Sequence, residues 1–260
     1  HVVLQRHGVR VTLGGGAEAV LAAGPCAAES EAQIHDTALI VAQAGGRLLR
    51  GGAFKPRTSP YAFSGNGREA LGWLRDAADA HGLLLVTELM SESDVSWAAD
   101  QIDLVQIGSR NMQNYALLRA VGESGAAVLL KRGSAANLST WRLAAEHLLH
   151  AGARDVILCE RGIAGPDVET RNVLDLGAVA LLKQVDGLVV MVDPSHAGGR
   201  RDLVVPLSKA ALAVGADGLL VEVHPNAADA LSDGPQALSP DELRTLADSI
   251  GTERTLKEAS

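Results

Sequence analysis

The sequence predicts an α/β protein, a (β/α)8 TIM barrel preceded by a short β-hairpin. Three observations carry that expectation. Eight short apolar runs alternate with eight helical patterns along 260 residues, close to the roughly 250 residues at which such pairs close a barrel. Reactive polar residues follow the ends of these runs repeatedly, where a parallel barrel places its chemistry. The G-x-G-x-x-G that opens a dinucleotide-binding doubly wound sheet does not follow the first run.

Taken in order, Val2 to Leu13 alternate loosely around Gly8 and stop at Gly14-Gly15-Gly16, which predicts a hairpin over residues 1–16. The barrel domain then spans residues 17–260. Its predicted strands are Ala19–Ala23, Arg47–Arg50, Leu83–Thr87, Leu104–Ile107, Ala127–Lys131, Val156–Glu160, Leu188–Asp193 and Leu219–Val223. Helical spacing begins at Ser30-Glu31 and stops at Gly45-Gly46. It recurs over Gly67–Ala80, Asp94–Ala99, Tyr115–Val121, Ser139–Ala151, Asn172–Leu182, Leu203–Val214 and Pro240–Ile250.

Composition narrows the function. Aromatic residues are 3% of the chain and the net charge is −8, which argues against base stacking and against general binding to nucleic acid or anionic membranes. No apolar run approaches the ~20 residues needed to cross a bilayer, and HVVLQRHGVR has no signal-peptide core. Two cysteines, Cys26 and Cys159, provide no disulfide framework, so a cytoplasmic location is expected. The chain starts at His1 rather than Met, so an upstream segment stays possible.

The densest chemistry lies between Met191 and Gly234. Asp193 and His196 close one strand, Glu222 and His224 close the next, and Asp233 follows in the loop beyond. Any one of them alone reads equally well as a solvated loop residue or a core histidine. Together at adjacent strand ends they suggest a ligand or metal. Cys26, His196, Glu222 and Asp233 form a mixed soft and hard donor set suited to Mn, Fe, Co or Zn. A thiol is otherwise more often a small buried hydrophobe, but Gly24-Pro25 before Cys26 favours a rim position. His224 competes as the imidazole, although Pro225 after it favours a loop role.

Arg50, Lys55, Arg57, Arg110, Lys131 and Arg161 converge on the same mouth if the barrel is right, whereas Arg68, Arg75 and Lys257 are expected to be solvated. Arg200 and Arg201 either join the mouth or face solvent. Mutual repulsion makes such a ring costly without an anion, so a phosphate or carboxylate substrate is expected.

The stretches GPCAAES, RGGAFKPRTSPYAFSG, QIGSRNMQNYALL, LLKRG, ILCERGI, DPSHAGGRRDLVVPLSKAALAVGADGLLVEVHP and ALSDG resemble the 3-deoxy-D-arabino-heptulosonate 7-phosphate (DAHP) synthases of the compact type I-beta kind. The resemblance runs from about Gly24 to Gly234, with the motifs in family order. KPRTS discriminates, because the sister 3-deoxy-octulosonate 8-phosphate (KDO8P) synthases typically carry an Asn-Arg-Ser variant there. The residue after Cys26, where Ser is commoner, and the stretch after Lys131 vary from the family pattern, which touches helix-capping detail.

The resemblance implies a metal-dependent condensation of phosphoenolpyruvate with erythrose 4-phosphate, the entry to the shikimate pathway and aromatic amino acid biosynthesis. By motif, Cys26, His196, Glu222 and Asp233 would bind the divalent ion. Lys131, Arg110 and Arg161 would hold the phosphoenolpyruvate phosphate, and Arg50 and Lys55 would lie near its carboxylate and reacting carbon. Lys55 would donate the proton, with Cys26 and His196 taking part in catalysis through the ion. Arg57, Thr58 and Ser59 would bind erythrose 4-phosphate, and Asp193 its hydroxyls. The family suggests a homodimer or homotetramer. Nothing in the sequence resembles a ferredoxin-like or ACT regulatory module, so insensitivity to aromatic amino acids is expected. The alternatives are a condensation with another aldose phosphate such as arabinose 5-phosphate, or a non-catalytic barrel acting as a partner subunit.

Overall fold

The computed structural model describes residues 1–55, 61 and 63–258. Strands β1 (Val2–Arg6) and β2 (Val9–Leu13) form an antiparallel hairpin in the register Val2 to Leu13 through Arg6 to Val9. His7 and Gly8, at φ 47° and 83°, make the turn with both central residues in the left-handed region, which matches the right-handed twist of the flanking strands.

Eight parallel strands follow: β3 (Val20–Gly24), β4 (Leu48–Arg50), β5 (Leu84–Glu88), β6 (Leu104–Ile107), β7 (Ala127–Lys131), β8 (Asp155–Glu160), β9 (Val190–Val192) and β10 (Gly218–Glu222). They close in sequence order, with β10 pairing β3. The helices are α1 (Glu31–Gln43), α2 (Gly67–Ala80), α3 (Glu92–Ala98), α4 (Tyr115–Glu123), α5 (Leu138–Ala151), α6 (Leu176–Gln184), α7 (Pro194–Gly198), α8 (Arg201–Ala213) and α9 (Pro240–Glu258).

Strand side chains alternate between two separate cores, as the two-residue period of a strand requires. One set, including Leu21, Leu49, Leu85, Val128, Leu158 and Val221, packs outward against the helices. The other, including Val20, Ala22, Leu48, Leu84, Leu104, Leu129, Ile157 and Leu220, fills the lower barrel interior together with Val2, Leu4, Val11 and Leu13 of the hairpin. The hairpin therefore closes the N-terminal end with apolar side chains. Asp103 anchors it: its Oδ1 accepts from Arg6 Nε at 2.5 Å, and its Oδ2 accepts from Arg75 at 2.8 Å and from the Leu85 amide at 2.6 Å.

Three expectations need correction. The sixth helix starts at Leu176 rather than Asn172, because Asp175 caps it through the Ala178 amide. A five-residue helix, α7, was not expected; it is too short to show a helical period. Arg75 is not solvated but buried between Asp79 and Asp103. Arg68 stacks on Trp97, its guanidinium 4.1 Å from the ring centroid.

Candidate metal and anion site

The inward-facing series that begins apolar at the bottom of each strand becomes polar at the top. Continuing in steps of two, it reaches Arg50, Glu88, Gln106, Lys131, Arg161, Asp193 and Glu222. The alternation that builds the core thus delivers these groups to the C-terminal mouth. Gly24 occupies the corresponding place on β3, where a Cβ would lie 1.8 Å from the Arg50 carbonyl oxygen.

Above them is a cavity of about 560 Å3. Arg50, Lys55, Arg110, Lys131, Arg161, His196 and Asp233 all line it, joined by Glu88, Gln106, Gly108, Ser109, Ser134, Arg171 and Asn172. Arg57, Thr58 and Ser59 lie outside the described residues. Arg200 faces solvent and pairs with Asp202, while Arg201 donates to the Gly234 carbonyl.

Cys26, His196, Glu222 and Asp233 converge although they come from four parts of the chain, and their ligand atoms all lie within 4.8 Å of one another. Local sequence explains each placement. Cys26 follows the Gly24-Pro25 break at the end of β3. Asp193 caps α7 by accepting from the His196 amide at 2.9 Å, Pro194 occupies the first turn, and Gly199 at φ 68° ends it. Glu222 ends β10, its amide donating to Ser195 Oγ at 3.0 Å. Asp233 sits at φ 54°, a conformation that Asp tolerates better than most side chains.

The hydrogen bonds fix the state of the imidazole. His196 Nδ1 lies 2.8 Å from Asp193 Oδ2, so the ring proton is assigned to Nδ1. Burial lowers the His196 pKa, prevailing over the opposing pull of Asp193 and Glu222, and the ring is therefore neutral. Its bare Nε2 then faces Glu222 Oε1 at 3.4 Å and Asp233 Oδ2 at 3.8 Å. Acceptors turned toward one another in a buried cluster are costly unless a cation lies between them. Two hard carboxylates, a borderline imidazole and a soft thiol, with a further carboxylate orienting the histidine from behind, fit a divalent transition ion.

Burial, reinforced by Glu222, pushes the Cys26 thiol up to about 12, against the opposing pull of Lys55. Lys55 Nζ is 2.9 Å from the sulfur and 3.0 Å from the Cys26 carbonyl oxygen. Glu222, although buried, is brought down to about 2 by His196 in its imidazolium form and by the Arg50 guanidinium, and its Oε1 accepts from Arg50 at 2.8 Å. Burial opposes ionisation of Asp193 as well, but His196 and Lys131 hold it well below the usual carboxylate range.

Two expectations change here. The cation ring is partly neutralised from within, since Arg50 pairs with Glu222 and Lys131 with Asp193 at 2.5 Å. Asp193 is fully buried, and its oxygens accept from His196 and Lys131. His224 is not part of the cluster; its Nε2 lies 3.6 Å from Glu29. Arg171, Asn172 and Gln236 carried no motif that singled them out, yet they touch the cluster. Glu88 and Gln106, polar residues at strand ends in the sequence, reach the cavity through the inward period of their strands.

The comparisons agree along the whole chain. The model of the DAHP synthetase I family matches residues 2–258. A phospho-2-dehydro-3-deoxyheptonate aldolase of Thermotoga maritima is 46% identical over 93% of this chain and 73% of its own length. A 2-dehydro-3-deoxyphosphooctonate aldolase of Syntrophotalea carbinolica is 33% identical, over 95% of this chain and 92% of its own length. The crystal structure of the Thermotoga maritima DAHP synthase superposes with a TM-score of 0.91 at 43% identity, covering 99% of this chain and 74% of that one. A truncated form of the Thermotoga enzyme superposes at 0.87 with 41% identity, covering 99% and 92%. A closed barrel, a mouth rich in cations and a match from end to end show that the chain belongs to the DAHP synthetase I family, as a DAHP synthase.

Proposed function

We propose that the chain condenses phosphoenolpyruvate with erythrose 4-phosphate to give DAHP and inorganic phosphate, using a divalent ion held by Cys26, His196, Glu222 and Asp233. The observation that carries this reading is the bare Nε2 of His196 facing two carboxylates and a thiol at the edge of a cation-lined cavity. When bound, the ion supplies a Lewis acid that polarises the aldehyde.

The residues do the rest. Lys131, Arg110 and Arg161 hold the phosphoenolpyruvate phosphate, and Arg50 and Lys55 hold its carboxylate near the reacting carbon. C3 of phosphoenolpyruvate attacks the aldehyde, and Lys55, beside Cys26, delivers the proton to the new alkoxide. Water adds at C2, and phosphate leaves by cleavage of its bond to that carbon. Arg57, Thr58 and Ser59 bind the erythrose 4-phosphate end. Asp193 acts from beneath, orienting His196 and Lys131.

The experiment is phosphate release from phosphoenolpyruvate by chelated and Mn2+-reloaded protein, with erythrose 4-phosphate or arabinose 5-phosphate as acceptor. Release that needs both Mn2+ and the four-carbon sugar is expected. Preference for the five-carbon sugar would move the chain to the KDO8P reaction, and release unaffected by chelation would end the metal reading.

We further propose a cytoplasmic homodimer or homotetramer. The exposed Tyr115, Leu143 and Leu149 on α4 and α5 offer apolar surface for self-association, and the two cysteines are buried and free. No helix among the described residues is long and apolar enough to cross a membrane. Light scattering of the eluting protein measures the mass, and a monomer would refute the assembly.

A further inference from the structure

We infer that Arg171 and Gln236 form a relay that sets the angle of both carboxylate ligands, which makes Arg171 a positioning residue for the metal site. The inference rests on the metal reading above and adds to it the residues that hold the ligands in place.

The segment carrying Arg171 is locked onto α7, which holds His196. The Arg171 amide donates to the Gly198 carbonyl at 3.1 Å and the Asn172 amide to the Ala197 carbonyl at 2.8 Å. Asn172 Nδ2 donates to the carbonyl of His196 itself at 3.0 Å. The close approach requires glycine at two places. A Cβ on Gly199, already at φ 68°, would lie 2.5 Å from Cβ of Arg171, and one on Gly162, at φ 91°, would lie 2.6 Å from Cβ of Asn172.

From this fixed base one guanidinium nitrogen of Arg171 reaches Gln236 Oε1 at 3.1 Å and Asp233 Oδ1 at 3.4 Å. Because the Gln236 oxygen accepts from arginine, its amide nitrogen must point the other way, and it donates to Glu222 Oε2 at 2.5 Å. In both carboxylates the oxygen so held is the one turned away from the cluster. Asp233 Oδ2 remains 3.0 Å from the Cys26 sulfur and Glu222 Oε1 3.4 Å from His196 Nε2. The loop thus reaches three of the four ligands, His196 and Asp233 directly and Glu222 through Gln236, from outside the coordination sphere, where hydrogen bonds fix ligand orientation.

A nearby cation also repels a metal ion. The Arg171 side chain is 42% exposed, so solvent screens that repulsion, whereas Gln236, 3% exposed, carries no charge. Orientation therefore outweighs repulsion.

The test is calorimetric titration of metal-free protein with Mn2+, using wild type, Arg171→Ala, Arg171→Lys, Gln236→Leu and the double variant Arg171→Ala/Gln236→Leu. Each of Arg171→Ala and Gln236→Leu is expected to weaken binding about tenfold, in the range seen when outer partners of metal ligands are removed. Arg171→Lys should recover part of the loss, and the double variant should fall well short of the product of the singles. At saturating Mn2+ the KM values for both substrates should stay within about twofold while kcat falls. Wild-type affinity in both single variants would overturn the relay, as would fully multiplicative effects. Unchanged Mn2+ affinity with a raised KM in Arg171→Ala would make Arg171 a substrate contact instead. Should Gln236→Leu fail to fold, the half-exposed Arg171→Ala carries the test alone. Wild-type protein that binds no Mn2+ would overturn the metal reading itself, whereas tight wild-type binding with unshifted variants overturns only the relay.

Discussion

Replacing Lys131 by Met leaves the Asp193 carboxylate without its ammonium partner in a place that water does not reach. Asp193 is fully buried, and the Lys131 side chain is 5% exposed. Breaking a buried pair from one side costs about 3–5 kcal/mol, because a charge is left uncompensated. Asp193 keeps two contacts from His196, at its ring nitrogen and its amide, which puts the expected loss at the lower end, about 3 kcal/mol. For a chain of this size that is a fall in melting temperature of roughly 6–12 °C. The assay is thermal and urea unfolding of metal-free protein, with Asp193→Asn and the double variant measured alongside. Asparagine still caps α7 but carries no charge to strand. The double variant should therefore be more stable than the sum of the singles by about 1 kcal/mol or more. A loss below about 1 kcal/mol for Lys131→Met, or strict additivity, would refute the view that this ion pair holds the floor of the site.

Glu222 supplies a pH dependence with a definite sign. Its folded-state value of about 2 lies below the ordinary 4.5, so the folded protein binds fewer protons there than the unfolded chain. Its contribution, about 3 kcal/mol, is present above pH 4.5 and is lost as pH falls toward 2. Unfolding free energy of the metal-free protein between pH 5 and pH 3 should have a shallower slope in Glu222→Gln, and equal slopes would refute the assignment. Gly24→Ala sets a methyl group 1.8 Å from the Arg50 carbonyl at φ 153°. We expect roughly 4 kcal/mol of destabilisation or failure to accumulate in soluble form, and wild-type stability would show that the β3 backbone can move aside. Asp103→Ala removes the shared partner of Arg6 and Arg75. It should cost about 3–5 kcal/mol and speed amide exchange over residues 2–13, and unchanged exchange there would refute the anchoring role.

The barrel was legible because a parallel strand covered on both faces shows as a continuous apolar run, and Val128-Leu129-Leu130 or Leu219-Leu220-Val221 can hardly be read otherwise. The convergence of Cys26, His196, Glu222 and Asp233 was legible because each lies at or beyond a strand end. What sequence could not show was which partner each side chain finds. Asp193 gives no sign of its partner until α7, five residues long and without a helical period, folds its carboxylate back onto His196. Arg75 resembles any surface arginine until Asp103, in the bend just before β6, meets it. Arg171 stands in a loop and Gln236 in a single 3-10 turn, neither with an apolar pattern, and the close packing of Asn172 on Gly162 and Arg171 on Gly199 shows only in three dimensions.

Because Val2, Leu4, Val11 and Leu13 stopper one end of the barrel, the cavity formed by the described residues opens at the opposite end. Whatever enters must back out by the way it came, so spent molecules and incoming ones share one corridor and exclude each other. Product held at the threshold should compete with at least one reactant rather than act from a distance, and turnover should slow as solution viscosity rises if departure sets the pace.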